Sequence, residues 1–269
     1  MKSFLEIGEL VEQEIGGLIY PNSPESLYNP IEYIMGLPAK RLRPMLVLMA
    51  YQLFEDDIAT ALPPAIAIEL FHNFTLLHDD IMDNAPLRRG NPTVHQKWNS
   101  NIAILSGDVM MIKAYQMLTQ VETQKLNTIL DCFNKAAVKV CEGQQLDMDF
   151  ENRDNVNLDE YIHMIEYKTA VLLAASLQIG AITAGASKAE QDKYATMAAK
   201  LRYEIDAAGK EALNMAENVR SDASRRSALR NKLAEKIESI IRESVKPMAN
   251  IGDIKIVDVN GLPGFSGTS

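Results

Sequence analysis

The sequence predicts an all-α protein. Apolar residues recur at helical spacing along almost its whole length, strand-like alternation is confined to one short segment near the end, and Gly/Pro punctuation falls between the periodic runs. The first helix is predicted over 2–18, closed by Gly16-Gly17 and the turn Pro21-Asn22-Ser23-Pro24. A short helix near 30–35 ends at Gly36-Leu37-Pro38. Further helices are expected at about 42–55, 63–83, 98–120, 124–151 and 158–183. Asn84 to His95 holds two prolines and a glycine and reads as a loop, as does Asn152 to Asn157. Asp159 is placed either to cap the next helix or to offset the positive charge of its first turn. Ser187-Lys188-Ala189-Glu190 has capping-box spacing, and helical pattern runs on to about Val245, before Pro247 and Gly252. Ile254 to Val259 reads as one short strand, with a turn at Asn260-Gly261.

Composition narrows the possible functions. A net charge of −9 over 269 residues argues against nucleic acid as a partner of the whole chain. Cys132 and Cys141 match no zinc spacing and read as buried free thiols, which fits a reducing cytoplasm. Met1-Lys2-Ser3-Phe4 runs straight into an acidic amphipathic pattern, so no signal peptide is read. No apolar run reaches the roughly 20 residues of a membrane span; the longest, Thr169 to Ala186, reads as a buried core helix.

Charge shifts along the chain. Residues 1–196 carry 15 Lys+Arg against 26 Asp+Glu, a net −11; residues 197–269 carry 12 against 10, a net +2. The second part has only Tyr203 and Phe265 as aromatics. A segment so poor in aromatics and so rich in Ala, Arg and Glu is read as a long exposed or self-associating helix. Two domains are therefore expected, 1–196 and 197–269.

The strongest local motif is His78-Asp79-Asp80-Ile81-Met82-Asp83. On a helix Asp79 and Asp83 share a face, with Asp80 beside them. Clustered carboxylates repel unless a cation neutralises them, and oxygen-only ligands suit a hard ion such as magnesium. The plain alternative is a solvated acidic helix end. Arg88-Arg89 follows five residues later beside Gly90, two guanidiniums of the kind that grip a pyrophosphate. Lys40-Arg41-Leu42-Arg43-Pro44 sets three cations at a helix start, either an anion site or a solvated basic patch.

Together with Leu76-Leu77 before His78, Leu87 before Arg88, Gly143-Gln144-Gln145-Leu146-Asp147 and Tyr167-Lys168-Thr169-Ala170, these segments resemble the trans-isoprenyl diphosphate synthase (polyprenyl synthetase) family over roughly residues 1–196. The resemblance implies an isoprenoid-synthase-type helical bundle and a magnesium-dependent prenyl transfer. In it Asp79, Asp80 and Asp83 would hold magnesium on an allylic diphosphate, gripped also by Arg88 and Lys168. Lys40, Arg43, His72 and Arg89 would bind isopentenyl diphosphate, while Gln144 and Thr169 would line the reacting centre. Pyrophosphate itself can take the final proton. Phe74 and Thr75 lie where the family limits product length, and one aromatic there implies a product of medium length. His78, His95 and His163 are read as packing or ordinary residues. The family also implies a homodimer.

The chain departs from that pattern. Pro38-Ala39 stands where the family has Gly-Gly, and Asp-Asp occurs only at 56–57 and 79–80, so the second aspartate-rich motif has no counterpart. The bundle is therefore expected to be truncated of its last helices. After residue 196, Leu201 to Ala207, Ala216 to Val219, Glu243 to Met248 and Ile254 to Gly264 resemble the end of a flotillin-like protein, which implies self-association through the tail. The chain is thus expected to be either an impaired prenyltransferase or a non-catalytic diphosphate-binding or self-associating protein, spliced from two fragments near Thr196 to Lys200.

Overall fold

The computed structural model describes residues 2–195 apart from Asn152 and Asp154. The predicted helix to Val245, the strand 254–259 and the whole second domain lie outside the described residues.

The described residues are helical, with one small hairpin. They fall into two units: residues up to Phe133 with Ser176–Lys188, and Asn134–Ala175 with the chain from Ala189 onward. In the first unit, α1 (Phe4–Gly16) opens with a capping box. The Ser3 hydroxyl accepts the Glu6 N–H, and the Glu6 carboxylate accepts the Ser3 N–H. Its apolar stripe Ile7, Val11 and Ile15 faces inward. α2 (Glu25–Met35) begins well before the predicted 30–35 and tolerates Pro30 within it. α3 (Leu42–Tyr51) is almost wholly buried. A 3₁₀ turn at Ile58–Ala61 leads into α4 (Leu62–Met82), which starts with prolines in its first turn, where a missing N–H costs nothing.

α4 is the central helix. Ala65 to Phe71 are buried without a break, and it packs on α1, α2, α3 and α6 (Ser100–Leu118). Phe71 meets Phe133 edge-on at 5.1 Å, and Phe133 meets Tyr115 at 5.3 Å. α4 and α6 pack tightly at Gly107, where an added Cβ would lie 2.5 Å from His78 Nε2. His78 stacks edge-on against Phe74 at 4.7 Å, so this histidine packs, as expected, beside the first aspartate.

The segment expected to be a loop, Asn84 to His95, has more order than its composition predicts. β1 (Leu87–Arg88) pairs antiparallel with β2 (Asn91–Pro92), and the short α5 (Val94–Lys97) follows. Arg89 (φ 52°) and Gly90 (φ 78°) form the two-residue connection, as hairpins whose two loop residues both take positive φ require.

α7 (Thr123–Glu151) runs from the first unit into the second. Within the second unit α8 (Leu158–Ile165) is capped by Asn157 rather than Asp159. The Asn157 side chain and Glu160 close a capping box, leaving Asp159 in the first turn. A π turn, Glu166–Ala170, joins α8 to α9 (Val171–Thr183), and α10 (Lys188–Ala195) begins just after Ser187. The stretch Leu158–Thr183 is long and apolar enough to cross a membrane by length and composition, and 67% of its most apolar window is buried, as in a core helix. One expectation fails at the cysteines. Cys132 is half-buried and its thiol meets Gln178 Oε1, but Cys141 is exposed rather than packed.

Candidate functional site: a carboxylate helix end among arginines

Asp79, Asp80 and Asp83 occupy the last turn and cap of α4. A helix C-terminus already carries partial negative charge, so three carboxylates there are stable only with cations nearby. The hairpin brings one. Arg88 Nε donates to both Asp80 oxygens, at 2.9 and 2.8 Å, and Arg88 Nη2 to Oδ1 at 2.6 Å. Arg88 Nη2 also lies 3.6 Å from Asp79 Oδ2. Side-chain exposure falls from 23% at Arg88 to 17% at Asp79 and 2% at Asp80, so the bidentate pair is largely desolvated. The hairpin is tied to the helix end by Ala85 N–H on Asp80 O at 2.9 Å and by the Thr93 hydroxyl on Ala85 O at 2.7 Å. Asp83 is exposed, one turn along from Asp79.

The three cations read together at the start of α3 separate. Lys40 is exposed, whereas Arg41 turns inward. Its guanidinium donates to Glu12 at 3.1 Å, to Glu69 at 2.8 Å and to the Leu37 carbonyl at 3.1 Å, with a further bond to the Met35 carbonyl. Glu69 also accepts from Asn73 Nδ2 at 3.0 Å. Arg41 is thus an internal brace rather than part of a basic surface patch, and it sits at a left-handed φ of 45°. Arg43 instead reaches His72, Nη1 to Nε2 at 3.1 Å. Because a guanidinium only donates, His72 Nε2 accepts and Nδ1 carries the hydrogen. Burial, then the charges of Arg43, Arg89, Arg88 and Arg41, hold His72 well below the ordinary histidine range. Burial first pulls Arg43 down, to about 10, with Glu69 opposing and Arg89 adding to the shift; the group stays charged at neutral pH. Arg89 is pulled down by partial burial and by Arg41 and Arg88, against Glu69 and Asp80. His72 therefore lies in the field of four arginines, whose nearby buried counter-charges are Glu69 and Asp80.

In the second unit, Gln144, Lys168 and Thr169 are half-buried. Lys168 and Thr169 both lie in the π turn, and Lys168 Nζ donates to Asp147 Oδ2 at 2.7 Å. In the first unit sequence reasoning passed over Arg41 as a brace, Glu69 and Asn73; in the second it passed over the pairing of Asp147 with Lys168. Glu69 and Asn73 carried a usable signal, a polar pair four apart in a stretch from Leu62 to Leu77 whose other polar residues are His72 and Thr75.

Among the described residues no three Asp, Glu, His or Cys side chains converge as a ready-made metal cage. Asp79 and Asp83 nonetheless fit a hard divalent cation of the kind that takes one or two carboxylates and fills its shell with phosphate oxygens and water. Asp80 is paired with Arg88, and Asp79 lies 3.6 Å from the same guanidinium.

These features define a class, an all-α protein whose charged centre sits at the end of a long buried helix. The chain belongs to the polyprenyl synthetase family, whose sequence model matches residues 24–202. It is 44% identical over 179 residues to the geranylgeranyl diphosphate synthase of Methanosarcina mazei, covering 66% of this chain and 55% of that protein. It is 36% identical over 240 residues to the short chain isoprenyl diphosphate synthase of Methanocaldococcus jannaschii, covering 89% of this chain and 69% of that one. The chain thus spans little more than half the length of the Methanosarcina relative. Among solved structures, the geranylgeranyl pyrophosphate synthetase of Geoglobus acetivorans is similar with a TM-score of 0.75 at 26% identity, over 91% of each chain. A further geranylgeranyl pyrophosphate synthase crystal structure is similar at 0.73 and 32% identity, over 92% of this chain and 88% of that one. The flotillin family model matches residues 184–269, overlapping the first match. The Methanocaldococcus alignment, at 89% of the chain, also runs into that stretch.

Proposed function

We propose that this chain carries a prenyltransferase-type site that binds an allylic diphosphate and isopentenyl diphosphate and joins them by ionisation of the allylic partner. The observation that carries the reading is the meeting of opposite charges at one helix end: carboxylates Asp79 and Asp80 against Arg88, with Arg43 and Arg89 beside a neutral His72. An excess of guanidinium next to carboxylates calls for a ligand that is both an anion and a metal chelator, and a diphosphate is both. Magnesium, when bound, would neutralise the departing pyrophosphate. Asp79, Asp80 and Asp83 would hold it, and Arg88 and Lys168 would grip the allylic diphosphate. Lys40, Arg43, His72 and Arg89 would bind the isopentenyl diphosphate, with His72 kept neutral as an acceptor for Arg43. Gln144 and Thr169 would line the reacting centre. Phe74, stacked on His78, would bound the growing chain. The names of the synthase relatives support the substrate class.

One sequence feature favours a second reading. No Asp-Asp pair follows residue 80 in this sequence, where the family resemblance implies a second aspartate-rich motif. In that reading residues 1–196 bind diphosphate with impaired or no turnover. Residues 197–269 form a flotillin-like tail that associates with itself, alongside dimer formation in a cytoplasmic protein. Calorimetry with magnesium and pyrophosphate, together with product analysis from radiolabelled isopentenyl diphosphate, separates the two. Binding with product supports the first reading, and binding without product supports the second. An absence of binding that Asp79→Ala does not alter rejects both.

A further inference from the structure

One face of α7 meets the π turn at three levels. Lys139 places Nζ 5.2 Å from the centre of the Tyr167 ring. Four residues on, Gly143 lies against the turn's backbone so closely that a Cβ there would fall 2.3 Å from Lys168 N and 2.7 Å from Lys168 Cα. Four residues further, Asp147 Oδ2 accepts from Lys168 Nζ at 2.7 Å. The spacing of 139, 143 and 147 is that of a single helix stripe. A π turn inserts one residue into a helix and is unfavourable unless something holds it, which is why such turns concentrate at functional sites.

We infer that Gly143 and Asp147 are positioning residues that fix Lys168. Gly143 seats the backbone of the π turn against α7, and Asp147 sets the direction of the Lys168 ammonium. The two contacts act on one residue from the same helix face, at its backbone and at its charge. A lysine stem has four rotatable bonds, and a flexible cation loses entropy when it grips an anion. Fixing it beforehand removes part of that cost. The use of this arrangement rests on Lys168 being the diphosphate cation proposed above; the clamp itself does not.

The test therefore has two arms, both on the full chain. The first measures the acylation rate of each lysine under trace labelling with acetic anhydride at neutral pH, read by peptide mass spectrometry. Asp147→Asn removes a carboxylate in contact with the ammonium. It is expected to raise Lys168 labelling about tenfold, because the ammonium loses the neighbouring charge that favours its protonated form. Lys125, which is paired elsewhere, should stay unchanged, and Asp147→Glu should restore much of the protection. Gly143→Ala is expected to speed hydrogen exchange at amides 167–171. If that variant fails to fold, Asp147→Asn carries the test. Unchanged Lys168 labelling in a folded Asp147→Asn overturns the inference. The second arm titrates pyrophosphate with magnesium. Wild-type binding that weakens about tenfold in Asp147→Asn extends the clamp to ligand capture. Wild-type binding that Asp147→Asn leaves untouched overturns that use. No wild-type binding, with Lys168 labelling still released, upholds the clamp and rejects the proposed function.

Discussion

Replacing Glu69 by leucine isolates the brace beneath the arginine cluster. Arg41 and Glu69 each expose 2% of their side chains, so neither can recover its charge-assisted bonds from water. Removing one partner of a buried pair costs about 3–5 kcal/mol, most of it the charge left behind. Here Arg41 keeps Glu12, which is half exposed, and the Met35 and Leu37 carbonyls, which places the expected loss near the lower end, about 3 kcal/mol. Asn73 also loses its Glu69 carboxylate acceptor but retains the Glu69 carbonyl at 2.9 Å, so its contribution is small. Urea unfolding followed by circular dichroism measures the change. The double variant Arg41→Met, Glu69→Leu removes both charges and should be less destabilised than Glu69→Leu alone. A loss under about 1 kcal/mol for Glu69→Leu, or a double variant worse than the sum of the singles, would show that Arg41 is not held as an internal ion pair.

Other expected outcomes follow from single contacts. His72 is held below its ordinary pKa in the folded protein, so the unfolded chain binds the extra proton first; stability is full above about pH 6.5 and falls as pH drops below it, by at most about 1.4 kcal/mol per pH unit. His72→Gln should flatten that slope in urea titrations between pH 5 and 7. Gly107→Ala drives a methyl group into His78 and should cost about 1–3 kcal/mol, seen as a lower thermal midpoint. Arg88→Gln leaves the buried Asp80 carboxylate without its bidentate partner. It should both destabilise the protein and weaken magnesium-dependent pyrophosphate binding in calorimetry. Where product forms, Phe74→Ala should lengthen it by removing the ring stacked on His78, as read by chromatography of the dephosphorylated alcohols.

The parts of the fold legible in the sequence were those written in local periodicity. The α4 pattern from Leu62 to Met82 and the α7 pattern from Thr123 to Glu151 were each placed to within a residue or so, because apolar spacing and flanking breakers agree there. α2 begins at Glu25, five residues before the expected 30–35, and Pro30 lies inside it rather than at its start. The hairpin was missed because its strands are two residues long, too short for alternation to show. At the candidate site, residue types were legible but directions were not. Lys40, Arg41 and Arg43 look equivalent in the sequence, yet the left-handed backbone at Arg41 turns one guanidinium into the protein. That choice depends on Glu12 and Glu69, which lie 29 and 28 residues away and carry no motif.

The two arginines with positive φ, Arg41 and Arg89, belong to this one region, and each is a non-glycine in a conformation that costs roughly 1–3 kcal/mol. At Arg41 the strain is offset on the spot by two carboxylates and two carbonyls. At Arg89 the hairpin geometry supplies the compensation, since a two-residue connection cannot close otherwise. The first bend sends a guanidinium inward, away from exposed Lys40. The second lets the hairpin carry Arg88 back against Asp80 while Arg89 acts on Arg43 and His72. Substituting glycine at position 89 distinguishes backbone need from charge need. Arg89→Gly should relieve the strain and leave stability equal or higher, while lowering pyrophosphate affinity if the guanidinium faces the anion. Equal affinity in that variant would assign Arg89 to the turn alone and remove it from the binding set.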